Sequence, residues 1–225
     1  MKALALDTAI SCITLSAKNE ENTATVSLDI GMHQSERLLP SIEYIMKECD
    51  LEPRSLDYIA ISKGPGSFTG LRLGFAAAKA LNFVTDCPVF GISTLQAYAQ
   101  PFVNWPGKVI SAIDAKKERF FSAIYQSGVP QTEELDAEPE MIAKLVDNFQ
   151  DDSFLVVGPD SFSLHEILVK TCKNQNIYTF EMQINPTLSL FQLGEKMLKG
   201  NAEPLADFDG PVYIRKSEAE EKNEN

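Results

Sequence analysis

Alternating and continuous apolar runs predict three strands at the start of the chain. Residues 1–7 (MKALALD), 12–19 (CITLSAKN) and 23–30 (TATVSLDI) have the length and pattern of partly buried strands. The acidic, asparagine-containing stretch at 18–22 suits a hairpin turn between the second and third. The pattern therefore predicts a three-stranded meander.

The spacing of apolar residues changes to a helical period after residue 34. Residues 35–50 carry an amphipathic stripe, which consists of Leu38, Ile42, Ile45, Met46 and Cys49. Pro40 should kink this helix or mark its first turn. A buried strand at 56–62, a helix at 69–84, a strand at 88–92 and a helix at 93–103 complete a βββαβαβα order for the first half.

A second half begins after the NWPG turn at 104–107. Its predicted strands are 108–114, 119–126, 154–158 and 177–180, and its predicted helices are 139–149, 161–171 and 186–200. We therefore expect an N-terminal, partner-binding domain over 1–105 and a smaller α/β domain over 106–214. The polar, charged end of the chain, 215–225, should be disordered.

Charge and composition limit the classes of function. The chain of 225 residues has 20 Lys and Arg against 32 Asp and Glu, a net charge of -12, which disfavours independent binding to nucleic acid or anionic membrane. Its four cysteines and two histidines are scattered, so the sequence indicates neither a zinc site nor a disulfide framework. No apolar run reaches the ~18 residues that span a bilayer. We expect a cytoplasmic protein with buried, reduced thiols.

The glycine-rich stretch SKGPGSFTGLRLG, residues 62–74, could be taken for a phosphate-binding loop. No glycine is followed by lysine, which excludes a Walker A loop, and Gly64, Gly66 and Gly70 are spaced one residue too widely for a dinucleotide fingerprint. What remains is a helix N-terminus that Ser67 or Thr69 could cap, and that could attract an anion. A sharp chain turn is the favoured interpretation.

The helix behind this loop has one side with almost no side-chain bulk, formed by Gly70, Gly74, Ala77 and Ala78. Each interior glycine costs about 1 kcal/mol relative to alanine, so a close neighbour should compensate. The neighbour is either this domain's own sheet, or a partner's helix packed beside the stripe of the first helix. The sequence leaves both alternatives open.

Several segments together resemble the TsaB family, the accessory subunits of bacterial tRNA threonylcarbamoyladenosine synthesis. They are MKALALDTAISCITLSA, the HQSERLLP helix start, KGPGSFTGLRLGFAAAKAL, VFGISTLQAYA, DAKKERFFSAIY and the late PVYIR. The likeness is dense over residues 1–125 and thin afterwards. It implies an α/β, actin-like and Hsp70-like ATPase fold of two ribonuclease H-like domains, which agrees with the βββαβαβα order.

The resemblance also implies that this chain lacks catalytic machinery. The related catalytic subunit TsaD binds its metal partly through an H-x-x-x-H pair, and Thr94 and Tyr98 stand at those two positions here. Asp7, Thr8 and Ser11 would be vestigial phosphate contacts, with Asp114 at the corresponding point of the second half. A peptidase would need a histidine base, and neither His33 nor His165 has an assignable nucleophile. We expect no catalytic residue, no metal and no cofactor.

The function implied by the resemblance is that of a non-catalytic subunit. It would bind a TsaD-like subunit, with a TsaE-like ATPase as a further partner, for threonylcarbamoyl transfer to the adenosine next to the anticodon of ANN-decoding tRNAs. It would meet tRNA only within that complex. The predicted interface consists of Leu38, Leu39, Ile42, Ile45, Met46, Gly70, Arg72, Gly74, Ala77 and Ala78. The alternatives are a stand-alone actin-fold kinase or ATP hydrolase, and a homodimer formed through the same helices.

Overall fold

The computed structural model describes residues 1–149, 152–180 and 184–215, which form two compact units. The first unit contains Met1–Ala97 and Asn185–Tyr213. The second contains Tyr98–Ile184 together with Ile214 and Arg215.

The order of helices and strands in the first half is the predicted βββαβαβα. In chain order the elements are β1 (Lys2–Asp7), β2 (Ile13–Asn19), β3 (Asn22–Leu28), α1 (Gln34–Glu48), β4 (Tyr58–Gly64), α2 (Phe68–Thr85), β5 (Val89–Ser93), α3 (Thr94–Ala99), β6 (Lys108–Lys116), β7 (Arg119–Gln126), β8 (Val129–Pro130), β9 (Leu135–Ala137), α4 (Pro139–Asn148), β10 (Phe154–Val157), α5 (Ser161–Thr171), β11 (Ile177–Thr179) and α6 (Pro186–Lys199). Pro40 lies inside α1 and does not mark its first turn. None of the helices in the described ranges is long and apolar enough to cross a membrane.

The first unit is built on a five-stranded sheet in the order β3-β2-β1-β4-β5. β1, β2 and β3 form the predicted antiparallel meander, while β4 and β5 extend the sheet in parallel. α1 and α2 pack on one face of this sheet, and α6 packs on the other. With both faces covered, β1 and β4 are buried along nearly their whole length.

The second unit repeats this strand order. Its main sheet runs β11-β10-β6-β7-β8, with β6 and β7 antiparallel and β6, β10 and β11 parallel, and β9 pairs with β7. α4 and α5 cover one face. The predicted paired strands around AKKE are confirmed as β6 and β7, but β8 and β9 were not predicted, because they have only two and three residues, too few to show a strand pattern.

The predicted domain division at 105/106 is wrong in two respects. The first unit ends at Ala97, inside α3, and the chain returns to it at Asn185. The return has a physical cause, because one face of the first sheet needs a cover and the side of α6 that carries Leu190 and Phe191 is apolar. Residues 216–225 of the predicted disordered tail lie outside the described residues.

Specific polar contacts fix α6 to the first sheet. The Ser16 and Thr187 hydroxyl groups are 2.5 Å apart, and the Tyr58 hydroxyl donates to the carbonyl oxygen of Phe191 at 2.8 Å. Only glycine fits at position 194, because a Cβ there would lie 2.7 Å from the Tyr58 ring. These contacts join residues more than 130 positions apart, which no local sequence pattern reports.

Candidate functional site

The glycine-rich loop connects β4 to α2 at one end of the first sheet. Gly64 has a φ of 114°, a left-handed conformation that favours glycine, and its peptide bond to Pro65 is cis. The Ser67 hydroxyl accepts a hydrogen bond from the Gly70 amide at 3.3 Å, so the predicted capping role is confirmed for Ser67. The loop therefore turns the chain and starts α2.

The turn after β1 packs directly against this loop. The Ser67 amide donates to the Ala9 carbonyl oxygen at 2.6 Å. A Cβ added at Gly66 or Gly70 would lie closer than 3.0 Å to the carbonyl oxygen of Ala9 or Thr8, respectively. The chain's own turn thus occupies the space where an anion would approach the start of α2.

The same turn accounts for the side of α2 that lacks bulk. A Cβ at Gly74 would lie closer than 3.0 Å to the Thr8 hydroxyl oxygen, while Ala77 and Ala78 are buried in the core of the unit. Of the two alternatives that the sequence left open, the structure shows the internal one. The prediction that Gly70, Gly74, Ala77 and Ala78 face a partner is therefore wrong, because this side is already in contact with its own unit.

One aspartate at or near the end of the first strand of each unit accepts a hydrogen bond from a backbone amide two residues further on. Asp7 is fully buried, and its Oδ1 accepts from the Ala9 amide at 3.2 Å. Asp114 Oδ1 accepts from the Lys116 amide at 2.7 Å, and its Oδ2 lies 2.6 Å from Lys116 Nζ. Burial would raise the pKa of Asp114, but the hydrogen bonds and charge of Lys116 outweigh it and lower that pKa. The Ala9 and Lys116 amides therefore already donate to carboxylates of the chain, whereas a phosphate site would need free backbone amides.

Of the three predicted vestigial phosphate contacts, only Ser11 is exposed. Asp7 and Thr8 are buried, and the Ser11 carbonyl oxygen accepts from Gln34 Nε2 at 2.5 Å. Neither Asp7 nor Thr8 is therefore accessible to a phosphate in this structure.

Thr94 and Tyr98 lie one helical turn apart in α3, and both are buried. The Thr94 hydroxyl has no hydrogen-bond partner among the described residues. Within the same part of the chain, no cluster of three or more His, Cys, Asp and Glu side chains could hold a metal ion.

The two histidines are engaged outside any nucleophile pair. His33 Nδ1 lies 3.6 Å from Glu36, and His165 Nε2 lies 3.2 Å from the carbonyl oxygen of Ile177. Burial raises the pKa of Cys87 to about 12 and that of Cys172 to about 11, so these thiols stay protonated near neutral pH. This arrangement offers no activated Ser or Cys among the described residues.

The stripe predicted on the first helix faces inward. Leu38, Ile42, Ile45 and Met46 are all buried in the core that α1 shares with the first sheet. Their assignment to a partner interface is therefore wrong, for the ordinary reason that an amphipathic helix covers its own sheet. Of the predicted α1 residues only Leu39, which is 59% exposed, remains available to a partner.

The exposed faces of α1 and α2 carry apolar residues that the sequence analysis missed. They are Tyr44 on α1 and Ala76, Ala80, Phe83 and Val84 on α2, next to the predicted Leu39 and Arg72. Arg72, Ala76, Ala80 and Phe83 follow a helical spacing, and this spacing could have indicated the exposed face of α2 from the sequence. The glycines drew attention to the opposite side of the same helix.

The chain is similar to proteins of tRNA threonylcarbamoyladenosine synthesis. A family model described as "TsaD: tRNA N6-adenosine threonylcarbamoyltransferase" matches residues 29–221. The chain is 27% identical over 231 residues to the tRNA threonylcarbamoyladenosine biosynthesis protein TsaB of Bacillus subtilis (strain 168), covering 99% of this chain and 97% of that protein. It is 31% identical over 150 residues to the TsaB protein of Escherichia coli (strain K12), which covers 63% of this chain and 64% of that protein.

The chain belongs to the TsaB family of TsaD-like proteins. Among solved structures, YeaZ from Pseudomonas aeruginosa is similar with a TM-score of 0.77 and 24% identity, covering 94% of this chain and 99% of that one. The predicted fold class is confirmed: the TsaB-family chain has the actin-like ATPase fold with two ribonuclease H-like units.

Proposed function

We propose that this TsaB-family chain is a non-catalytic accessory subunit of tRNA threonylcarbamoyladenosine biosynthesis. It binds a TsaD-like subunit and acts with a TsaE-like ATPase. That complex transfers a threonylcarbamoyl group to the adenosine next to the anticodon of ANN-decoding tRNAs. The biosynthetic role is supported by the names of its relatives, and the non-catalytic role by the chain's own residues.

The observation that carries the non-catalytic role is the closed end of the first sheet. The Thr8–Ala9 turn packs directly against the start of α2, and the Ser67 amide donates to the carbonyl oxygen of Ala9. An actin-fold ATPase needs this end of the sheet open so that backbone amides can bind phosphate. Buried Thr94 and Tyr98, in place of two histidines, add that the metal-assisted chemistry of TsaD has no anchor here.

The surface that supports partner binding is the outer side of α1 and α2. Leu39 and Tyr44 are more than half exposed, and Phe83 is 89% exposed. Exposed large apolar residues on two helices that pack together make their outer side a candidate association surface. The net charge of -12 is consistent with tRNA being held mainly by the other subunits.

The first test is reconstitution of the modification. The chain, a TsaD-like subunit and a TsaE-like ATPase from the same organism are combined with unmodified tRNA, ATP and an activated threonylcarbamoyl donor, and threonylcarbamoyladenosine is measured by nucleoside mass spectrometry. We expect product only when all three proteins are present, and none with the chain alone. Full activity without the chain would contradict the proposal.

A calorimetric titration separates the proposal from the stand-alone ATPase or kinase. We expect no stoichiometric heat when magnesium-ATP is titrated into the chain alone. Saturable one-to-one binding in the micromolar range or tighter would favour the actin-fold enzyme.

The proposed surface is tested by a matched pair of substitutions. Leu39→Asp on α1 should abolish association with the TsaD-like subunit, because an apolar interface would desolvate the carboxylate. Leu188→Asp on α6, which is 49% exposed and lies on the opposite side of the first sheet, should leave association unchanged. Sedimentation of the chain alone shows whether the same surface forms a homodimer.

A further inference from the structure

An exposed arginine on α2 is held in one position by two aromatic rings. The Arg72 guanidinium carbon lies 3.8 Å from the centroid of the Phe68 ring, and its Nε donates to the Tyr213 hydroxyl at 3.1 Å. The Phe68 and Tyr213 rings are themselves in contact, with centroids 4.5 Å apart. An arginine at an exposed helix position normally samples many rotamers. The side chain of Arg72 is restrained by the hydrogen bond from its Nε to Tyr213 and by the packing of its guanidinium face on Phe68.

Tyr213 is held in turn by the backbone of its own segment. The Val212 amide donates to the Lys63 carbonyl oxygen at 2.7 Å, at the end of β4. A Cβ at Gly64 would lie closer than 3.0 Å to the Val212 carbonyl oxygen, so the segment docks closely at that glycine. The late PVYIR motif therefore holds a side chain on α2, 141 residues earlier in sequence.

The terminal nitrogens of Arg72 are left available by this arrangement. Its contacts with the described residues use only Nε and the face of the guanidinium group. A planar guanidinium group with a fixed stem and free terminal nitrogens matches a carboxylate through two parallel hydrogen bonds. Because the stem is already ordered, binding costs little further side-chain entropy.

We propose that Arg72, held by Phe68 and Tyr213, is a preformed receptor for one carboxylate side chain of the TsaD-like subunit. The inference rests on the proposed function, since it assigns the charged contact of the same α1 and α2 surface. α2 carries no Asp or Glu over its 18 residues, so Arg72 is a local cation in an acidic chain. Tyr213 acts as a positioning residue.

A single carboxylate fits this surface better than an RNA backbone does. Binding to a polyanion takes several Lys or Arg side chains at phosphate spacing. The other cation of α2, Lys79, donates its Nζ to the carbonyl oxygen of Asp207. The exposed positions that continue along α2 from Arg72 are Ala76, Ala80 and Phe83, which suit the side chains of a protein and not phosphates.

The test measures association of the full chain with the TsaD-like subunit by calorimetry. We expect Arg72→Ala and Arg72→Met to weaken binding by about tenfold or more, which is typical for a lost charge-assisted pair. Arg72→Met keeps the apolar stem on Phe68 and so isolates the guanidinium group. Arg72→Lys should lose most of the affinity as well, because an ammonium group lacks the planar fork. Lys196→Ala on α6 removes the same charge from the other side of the unit and should change nothing.

Two further measurements separate a receptor from a structural residue. Tyr213→Phe should weaken association about threefold with an unchanged melting temperature, since the ring stays and only the bond to Nε is lost. In an alanine scan of the Asp and Glu residues of the TsaD-like subunit, one position should show strong coupling to Arg72→Ala in a double-mutant cycle.

The outcomes distinguish this inference from the function on which it rests. If the unmodified chain fails to bind the TsaD-like subunit, both are overturned. If it binds and the Arg72 variants bind equally well, only the carboxylate receptor is overturned. If the variants keep that affinity but weaken binding of tRNA to the assembled complex, the ligand is a phosphate of RNA and the inference is likewise wrong.

Discussion

Alanine substitutions at Gly70 and Gly74 test how the turn after β1 packs on α2. The two glycines meet different atoms of Thr8. A Cβ at Gly70 would meet the Thr8 backbone carbonyl oxygen, with the carbonyl carbon at 3.3 Å. A Cβ at Gly74 would meet the Thr8 hydroxyl oxygen, with the Thr8 Cβ at 3.4 Å.

The magnitude follows from two opposing effects. Replacing glycine by alanine inside a helix stabilises it by up to about 1 kcal/mol, whereas overpacking costs about 1–3 kcal/mol. At Gly70 the obstacle is backbone, and moving it would also strain the bond from Ser67 to Ala9, which is worth about 1 kcal/mol. We therefore expect Gly70→Ala to lower the free energy of unfolding by about 1–3 kcal/mol, or the melting temperature by about 2–12 °C.

The rescue experiment is specific to the side-chain contact. Thr8→Ala removes the hydroxyl group that meets Gly74 and leaves a Cβ at an ordinary contact distance, so Gly74→Ala should be harmless in that background. It leaves the Thr8 carbonyl oxygen in place, so Gly70→Ala should stay as destabilising as before. Gly210→Ala is the control, because a Cβ there meets no atom within 4 Å.

Circular dichroism melts and urea titrations of the single and double variants measure these differences. If Gly70→Ala stabilises the protein, as helix propensity alone predicts, the close packing of the turn on α2 is refuted. If the cost of Gly74→Ala is the same with and without the Thr8 side chain, the hydroxyl group is not the obstacle.

Three further predictions concern the cores and charges of the two units. Ile42→Asp should leave little folded protein, because it places a carboxylate in the core beneath α1 at a cost of several kcal/mol, and a cooperative melt near the wild-type temperature would contradict this. Tyr58→Phe should lower the free energy of unfolding by about 1–2 kcal/mol in urea titrations, because the Phe191 carbonyl oxygen loses its donor, and an unchanged midpoint would refute that contribution. Burial would raise the pKa of Asp136, but hydrogen bonds from Arg215 and Arg119 lower it below 3.8, so its contribution to stability is present above about pH 4 and is lost as the pH falls towards that lowered value. The difference in melting temperature between wild type and Asp136→Asn should therefore shrink below about pH 4, and a difference that stays constant down to pH 2 would contradict the assignment.

The local patterns of the sequence were sufficient for the elements of the first half. The alternation in MKALALD and the meander after it predicted β1, β2 and β3, and the helical stripe predicted α1, although not that the stripe faces the first sheet. Ser67 was a correct cap candidate for α2. Such features are set by residues within a few positions of one another, so they can be recognised along the chain.

The sequence could not show which unit each later segment joins. α6 packs on a sheet whose strands lie more than 100 residues earlier, and the contact of Thr187 with Ser16 has no local sequence signal. The same holds for Tyr213, which meets Arg72 only because the chain returns to β4 through Val212.

For the proposed partner surface, the sequence pointed to α1 and α2 but did not determine which of their sides faces outward. The stripe of Leu38 and Ile42 and the glycines of α2 could each have faced a partner or their own unit, because close packing and burial need the same small or apolar residues in either case. Only the folded chain decides between them, since it brings Thr8 onto the glycines and the first sheet onto the stripe. What stays exposed, Leu39, Arg72 and Phe83, is then fixed by exclusion, because the position of the sheet determines which sides of α1 and α2 remain in contact with solvent.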